Sequence, residues 1–240
     1  MRRIAVTSLA LAVGLAACAT GMGGPKDVRL SAVALRAESG TTPAAAAAAL
    51  REVGARVGLV AAPADSAWFR AVAEAAGLHL SGPAVAGDLS LALLAMEPLG
   101  DTVLTLDYEG GTITMVDALY DLADEHFLDL MAFRVGAGDP IQPMVTRLLR
   151  YIATDVPPSA GVVIAIAVPD AAAGDSIARL LSPGYLDAIR CAGGDPGTPA
   201  TGRIRLFYGP AARVVCGDAA VVTVPAGARV HAELVAGLHL

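Results

Sequence analysis

The run Gly161–Val168, GVVIAIAV, decides the fold. Eight residues without a polar side chain, rich in β-branched Val and Ile, have the length and composition of a strand. Both of its alternating faces are apolar, so it must be covered on both sides, as a central strand beneath helices is. The flanks agree. Upstream, Asp139 and Pro140 open a helix whose apolar positions Val145, Leu148, Leu149 and Ile152 share one face; downstream, Asp170 caps a helix through Leu181. This order predicts an α/β chain of the mixed α+β kind, a single globular domain with a central sheet flanked by helices.

Working toward the N-terminus, Val28–Ala37 alternates as a strand, and Thr42-Pro43 starts a helix through the alanines that follow and on to Val57. Gly58–Ala62 reads as a short buried strand. Asp65 or Ser66 then caps a helix over Ala67–Ala76, stopped by Gly77. Leu78–Leu80 is a candidate strand, Ser81–Gly87 a loop, and Leu89–Leu94 fits helix and strand alike. Thr102–Tyr108 and Thr112–Val116, joined through Gly110-Gly111, form a hairpin. The spacing predicts a helix over Asp117–Phe127, and Phe127–Val135 passes from helix end into strand.

Toward the C-terminus, the body (27–191) ends in a short helical piece at Cys191, and AGGDPGTPAT (192–201) reads as a linker spanning 192–202. Four short apolar runs, Arg203–Tyr208, Ala212–Cys216, Ala220–Val224 and Arg229–Val235, are separated by Gly-Pro, Gly-Asp and Pro-Ala-Gly turns. They predict a C-terminal β-meander over 203–240, packed on the body.

The first residues carry a different message. Arg2 and Arg3 precede an apolar run, Ile4–Gly14, too short to cross a bilayer, which is the layout of an export signal. Leu15-Ala16-Ala17-Cys18 resembles the lipobox of bacterial lipoprotein precursors. The resemblance implies a signal peptide at 1–17, a Cys18 that is acylated after cleavage, and a flexible tether over 18–26. The partner is then the lipid bilayer, reached through acylated Cys18. Ala19 after the cysteine implies the outer membrane, with the domain facing the periplasm.

Cleavage there leaves 223 of the 240 residues, with 15 Lys and Arg against 23 Asp and Glu, a net charge of −8. Such an acidic surface argues against nucleic acid as a partner. Lys26 is the one lysine, which excludes Schiff-base chemistry and a lysine phosphate loop. Two cysteines remain, Cys191 and Cys216, an even pair in an exported chain, and a disulfide between them is expected.

The candidate chemistry is sparse. Asp117, Asp121, Asp124 and Glu125, beside His126, line up on the predicted helix, and Asp121, Asp124 and Glu125 are the candidate metal ligands. An amphipathic helix with a solvated acidic face explains the same residues. Gly174-Asp175-Ser176-Ile177 resembles the Gly-Asp-Ser-Leu nucleophile block of an esterase and lipase family, which implies Ser176 as a nucleophile with His231 as its base. The block lies late in the chain, within a predicted helix, and no Asp-x-x-His follows. Gly136-Ala137-Gly138-Asp139-Pro140 has the context of a phosphate-cradling turn, but lacks a third glycine and puts Asp139 where a phosphate would sit. Arg147 and Arg150 complement a helix C-terminus. No cofactor is implied.

These residues lean away from an enzyme and toward a membrane-anchored envelope lipoprotein that binds or scaffolds an envelope protein. A secreted hydrolase centred on Ser176 is the alternative, and a solute-binding lipoprotein the third reading.

Overall fold

The computed structural model describes residues 28–123, 126–193, 201–211 and 213–236. The signal peptide and tether, Asp124, Glu125, His239 and most of the linker lie outside the described residues. In chain order the elements are β1 (Val28–Ala37), α1 (Pro43–Arg51), β2 (Val57–Ala62), α2 (Ser66–Ala76), β3 (His79–Ala86), β4 (Leu89–Ala95), β5 (Gly100–Tyr108), β6 (Gly111–Ala123) and β7 (His126–Arg134). There follow α3 (Ile141–Asp155), β8 (Gly161–Ala167), α4 (Ala171–Leu181), β9 (Leu186–Asp187), α5 (Ala188–Cys191), β10 (Ile204–Gly209), β11 (Val214–Val224) and β12 (Gly227–Ala236).

The strands form two six-stranded sheets, β11-β12-β1-β2-β4-β3 and β5-β6-β7-β8-β10-β9. They pack face to face, with α1 and α2 on the outside of the first and α3 and α4 on the outside of the second. The alternation of β1 shows how the sequence builds these layers. Leu30, Ala32 and Ala34 join the core between the sheets, while Val33, Leu35 and Ala37 pack beneath α1 and α2 beside Leu50, Phe69 and Val72. Burying each such Leu or Phe contributes about 1.5–3 kcal/mol. Each sheet contains one parallel pair joined by a helix, β1–α1–β2 and β7–α3–β8. The C-terminal ends of β1, β7 and β8 come together at one rim of the sandwich, and the site lies there.

The mixed α+β class is as expected, and Gly161–Val168 is buried throughout, between β7 and β10. The helix starts also agree: Thr42, Asp65 and Asp170 each accept a backbone N–H at their N-caps, and Gly77 ends α2 at φ 73°.

Three segments differ from expectation. Asp117–Phe127 is not helical. Its described residues belong to β6 and β7, because Val116, Ala118, Tyr120 and Leu122 also alternate at period two and β6 pairs with strands on both sides. Among the described residues, Asp117 and Asp121 therefore lie on a strand and not on the predicted acidic helix face. Asp117 is buried, Asp121 is exposed, and Asp124 and Glu125 lie outside the described residues. The expected loop Ser81–Gly87 is largely strand β3, with an irregularity between Ser81 and Ala84 that accommodates Pro83. The C-terminal strands are woven into both sheets: β10 lies between β8 and β9, while β12 pairs along its length with β1 and carries β11 at the edge.

The Cys191–Cys216 disulfide is present, with a Cα–Cα distance of 6.4 Å. It ties α5, at the edge of the second sheet, to β11, at the edge of the first.

Candidate functional site

Three arginines converge at the rim where the two sheets meet. Arg36 continues the inward-facing register of Leu30, Ala32 and Ala34 on β1, and Arg134 continues that of Leu128, Leu130 and Ala132 on β7. The strand period thus aims both guanidinium groups into the gap between the sheets, from opposite sides. Arg203, just before β10, supplies the third. With Asp88, Leu89, Val135, Ala137, Ala167, Val168 and Pro169 they enclose a cavity of about 180 Å³.

Backbone carbonyls at the end of β8 hold two of the three. Arg36 Nη1 donates to the Val168 carbonyl at 3.2 Å, and Arg203 Nε to the Pro169 carbonyl at 3.1 Å. Arg134 Nη2 pairs with Asp88 Oδ1 at 2.5 Å. Arg36 Nε is buried without a hydrogen-bond partner. Burial, and then the charge of Arg203, lowers the Arg36 pKa from its ordinary value; a guanidinium nonetheless stays charged in proteins. Gly87 makes room for this arrangement: it sits at φ +65°, and a Cβ there would lie 2.5 Å from Arg134 Nη1. Ala137, from the turn singled out as phosphate-cradling, lines the cavity, but the Gly136 N–H is spent on Asp139 Oδ2 at 2.6 Å. The chemistry of the site is that of an oxyanion receptor, since guanidinium groups donate paired hydrogen bonds to phosphate and carboxylate oxygens.

A buried acidic cluster sits on the other face of the second sheet. Asp117 on β6 accepts a hydrogen bond from Tyr151 of α3 and shares another with Asp129 on β7. Burial, then the charge of Asp117, pushes Asp129 up to about 8. Asp129 Oδ1 has no partner. Among the described residues, no group of three or more His, Cys, Asp or Glu is arranged to hold a metal ion.

The structure explains the Gly-Asp-Ser letters without an esterase. Gly174 clears space for Arg205, whose Nε would lie 2.4 Å from a Cβ there, and Asp175 pairs with Arg205 at 2.6 Å. Arg205 is buried and also bonds Asp187 at 2.9 Å, and Asp187 in turn caps α5. Ser176 donates to the Ala172 carbonyl of its own helix and accepts from Arg179. His231 lies on the far side of the sandwich, on β12, bonded to Ser31 at 3.1 Å; burial and then Arg229 lower its pKa. Ser176 and His231 are not brought together. Arg147 and Arg150, read as dipole partners, line a groove of about 540 Å³ between α3 and the tip of the β5–β6 hairpin, with Asp107 and Glu109 opposite.

The sequence reading missed Arg36, Arg134 and Arg203. Its available signal was a single arginine at the end of each of two apolar strands, on the face that should be buried.

The sequence matches no family model and no curated protein. The fold does match solved structures. The endonuclease/exonuclease/phosphatase from Bacteroides vulgatus is 10% identical, with TM-score 0.68 over 88% of this chain and 100% of that one. An endonuclease/exonuclease/phosphatase family protein from Bacteroides thetaiotaomicron is 11% identical, with TM-score 0.65 over 89% and 100%. D. rerio TDP2 complexed with single strand DNA product is 13% identical, with TM-score 0.59 over 87% and 99%. The last of these corrects the expectation that an acidic chain excludes nucleic acid. Net charge averages a whole surface, whereas association with a charged partner depends on how the charge is distributed, so the overall balance does not exclude nucleic acid. At these identities the likeness establishes a shared fold: the chain folds as the endonuclease/exonuclease/phosphatase proteins do.

Proposed function

We propose that this chain is an envelope-anchored protein that recognises phosphate esters in the pocket of Arg36, Arg134 and Arg203. The observation that carries the reading is the entry of three guanidinium groups into one small cavity whose one lining carboxylate, Asp88, is already paired. The solved structures of the same fold, named for nuclease and phosphatase activity, favour a phosphoryl ligand over an apolar solute or a plain scaffold. Calorimetric titration of inorganic phosphate into the purified chain tests it. Saturable binding weakened at least tenfold by Arg36→Ala is expected; no saturation, or equal affinity in the variant, overturns it.

The fold likeness also supports a second reading, in which the same pocket hydrolyses the ester. Asp88 is then the group placed to accept a proton from water. Turnover of a chromogenic phosphate ester that Asp88→Asn abolishes would support this reading, and absence of turnover would remove it.

Acylation of Cys18 holds the domain at the periplasmic face of the outer membrane in this account. The Leu15–Cys18 motif supports it, and the Cys191–Cys216 disulfide supports an oxidising compartment. Two or three acyl chains anchor stably where one is marginal. Intact mass of the membrane-extracted protein should show diacylglyceryl and acyl additions, lost in Cys18→Ala; an unmodified thiol would refute the anchor.

A further inference from the structure

Resting on the pocket assignment above, we infer that the ligand is the dianion of a phosphate monoester, in preference to a phosphodiester. The charge balance of the wall carries this. Of the three guanidinium groups, Arg134 is matched by Asp88 at 2.5 Å. Arg36 and Arg203 are held by the carbonyls of Val168 and Pro169, neutral acceptors that orient a guanidinium without cancelling its charge. Among the lining residues three guanidinium charges therefore face the one carboxylate of Asp88, a surplus of two positive charges. Glu38 and Asp139 lie outside the lining residues; the charge of Glu38, like that of Asp88, also acts on Arg36, and the Gly136 N–H orients Asp139 without cancelling its charge.

A phosphate monoester carries a charge of about −1.5 to −2 at pH 7, with a second pKa of about 6, and offers three terminal oxygens. A diester carries one charge on two. Three guanidinium groups arriving from β1, β7 and the segment before β10 match three oxygens, and the buried Arg36 Nε is a donor without an acceptor. The cavity of about 180 Å³, closed by Leu89, Val135, Ala137 and Ala167, suits a terminal group better than one continuing on both sides.

The test compares 5′-AMP with 3′,5′-cyclic AMP, which share a nucleoside, by calorimetry on the full chain. At pH 7.5 the monoester binds at least tenfold tighter. At pH 5.0, below the ligand's second pKa, that advantage falls to about threefold or less. Asp88→Asn frees the charge of Arg134 and tightens 5′-AMP binding at least threefold at both pH values, which separates titration of the ligand from that of the wall. Equal affinity for the two nucleotides, a preference unchanged at pH 5.0, or weaker binding in Asp88→Asn overturns the monoester assignment while leaving the pocket intact. Failure of inorganic phosphate and both nucleotides to bind overturns the pocket reading itself.

Discussion

Tyr151 of α3 donates its hydroxyl hydrogen bond to Asp117 of β6, and this contact joins the helix to a pair of carboxyl groups buried in the sheet beneath it. Asp117 also shares a hydrogen bond with Asp129. The pair therefore holds a proton that an ordinary carboxyl would have released.

That proton sets a pH dependence. Asp129 titrates at about 8 in the folded chain and near 3.9 when unfolded, so between these values the folded state binds more protons. Its contribution is full below about pH 4 and is lost as pH rises through 8. Thermal or urea unfolding should show this decline from pH 5 to 8. Asp129→Asn, neutral at every pH, flattens the decline and is the more stable protein at pH 8, by about 1–3 kcal/mol. A steeper decline in the variant would contradict the shared proton.

Tyr151→Phe removes the donor and leaves the Asp117 oxygen buried without it, a loss of about 1–3 kcal/mol in urea unfolding. The same substitution should leave phosphate affinity unchanged within twofold, because Tyr151 packs on the sheet face opposite the arginine pocket.

Reduction of Cys191–Cys216, or its replacement by two alanines, releases a loop with a sequence separation of 25. The chain-entropy model gives a loss on the order of 3 kcal/mol. Unfolding with and without reductant measures it, and identical curves would contradict a structural bridge between the two sheets.

Around Arg205 two substitutions should separate sharply. Asp187→Ala removes the buried partner of Arg205, leaves the exposed Asp175 to hold the guanidinium, and costs about 1.5–3 kcal/mol. Ser176→Ala, on the exposed side of α4, changes stability by no more than about 0.5 kcal/mol and leaves any ester hydrolysis unaltered. Loss of hydrolysis in Ser176→Ala would restore the esterase reading.

Gly87→Ala places a methyl group where Arg134 Nη1 now lies. Because that atom ends a flexible side chain, the guanidinium should move while the fold persists. Phosphate affinity then falls about fivefold to tenfold, with a stability loss near 1 kcal/mol for the positive φ. Unchanged affinity would show that Arg134 does not touch the ligand.

Much of this architecture was legible because local signals and tertiary context agree. Gly161–Val168 is apolar on both faces and is covered on both; Thr42, Asp65 and Asp170 precede helices and cap them. The segment Asp117–Phe127 was misread because Val116, Leu119, Tyr120 and Ala123 satisfy a helical period while Val116, Ala118, Tyr120 and Leu122 satisfy a strand period. Only the pairing of β6 with β5 and β7 decides between them. The arginine pocket was illegible for a related reason. An arginine at a strand end is ordinarily solvated, and what makes Arg36, Arg134 and Arg203 a site is the meeting of two sheets, which no local spacing encodes.

The most direct test of the central claim is the position of an oxyanion in the folded chain. Crystals soaked in tungstate, a phosphate mimic located by its anomalous scattering, should show one dominant site within hydrogen-bond reach of Arg36, Arg134 and Arg203, abolished in Arg36→Ala. Tungstate bound instead in the groove of Arg147 and Arg150, or absent from the arginine pocket at saturating concentration, would contradict the account.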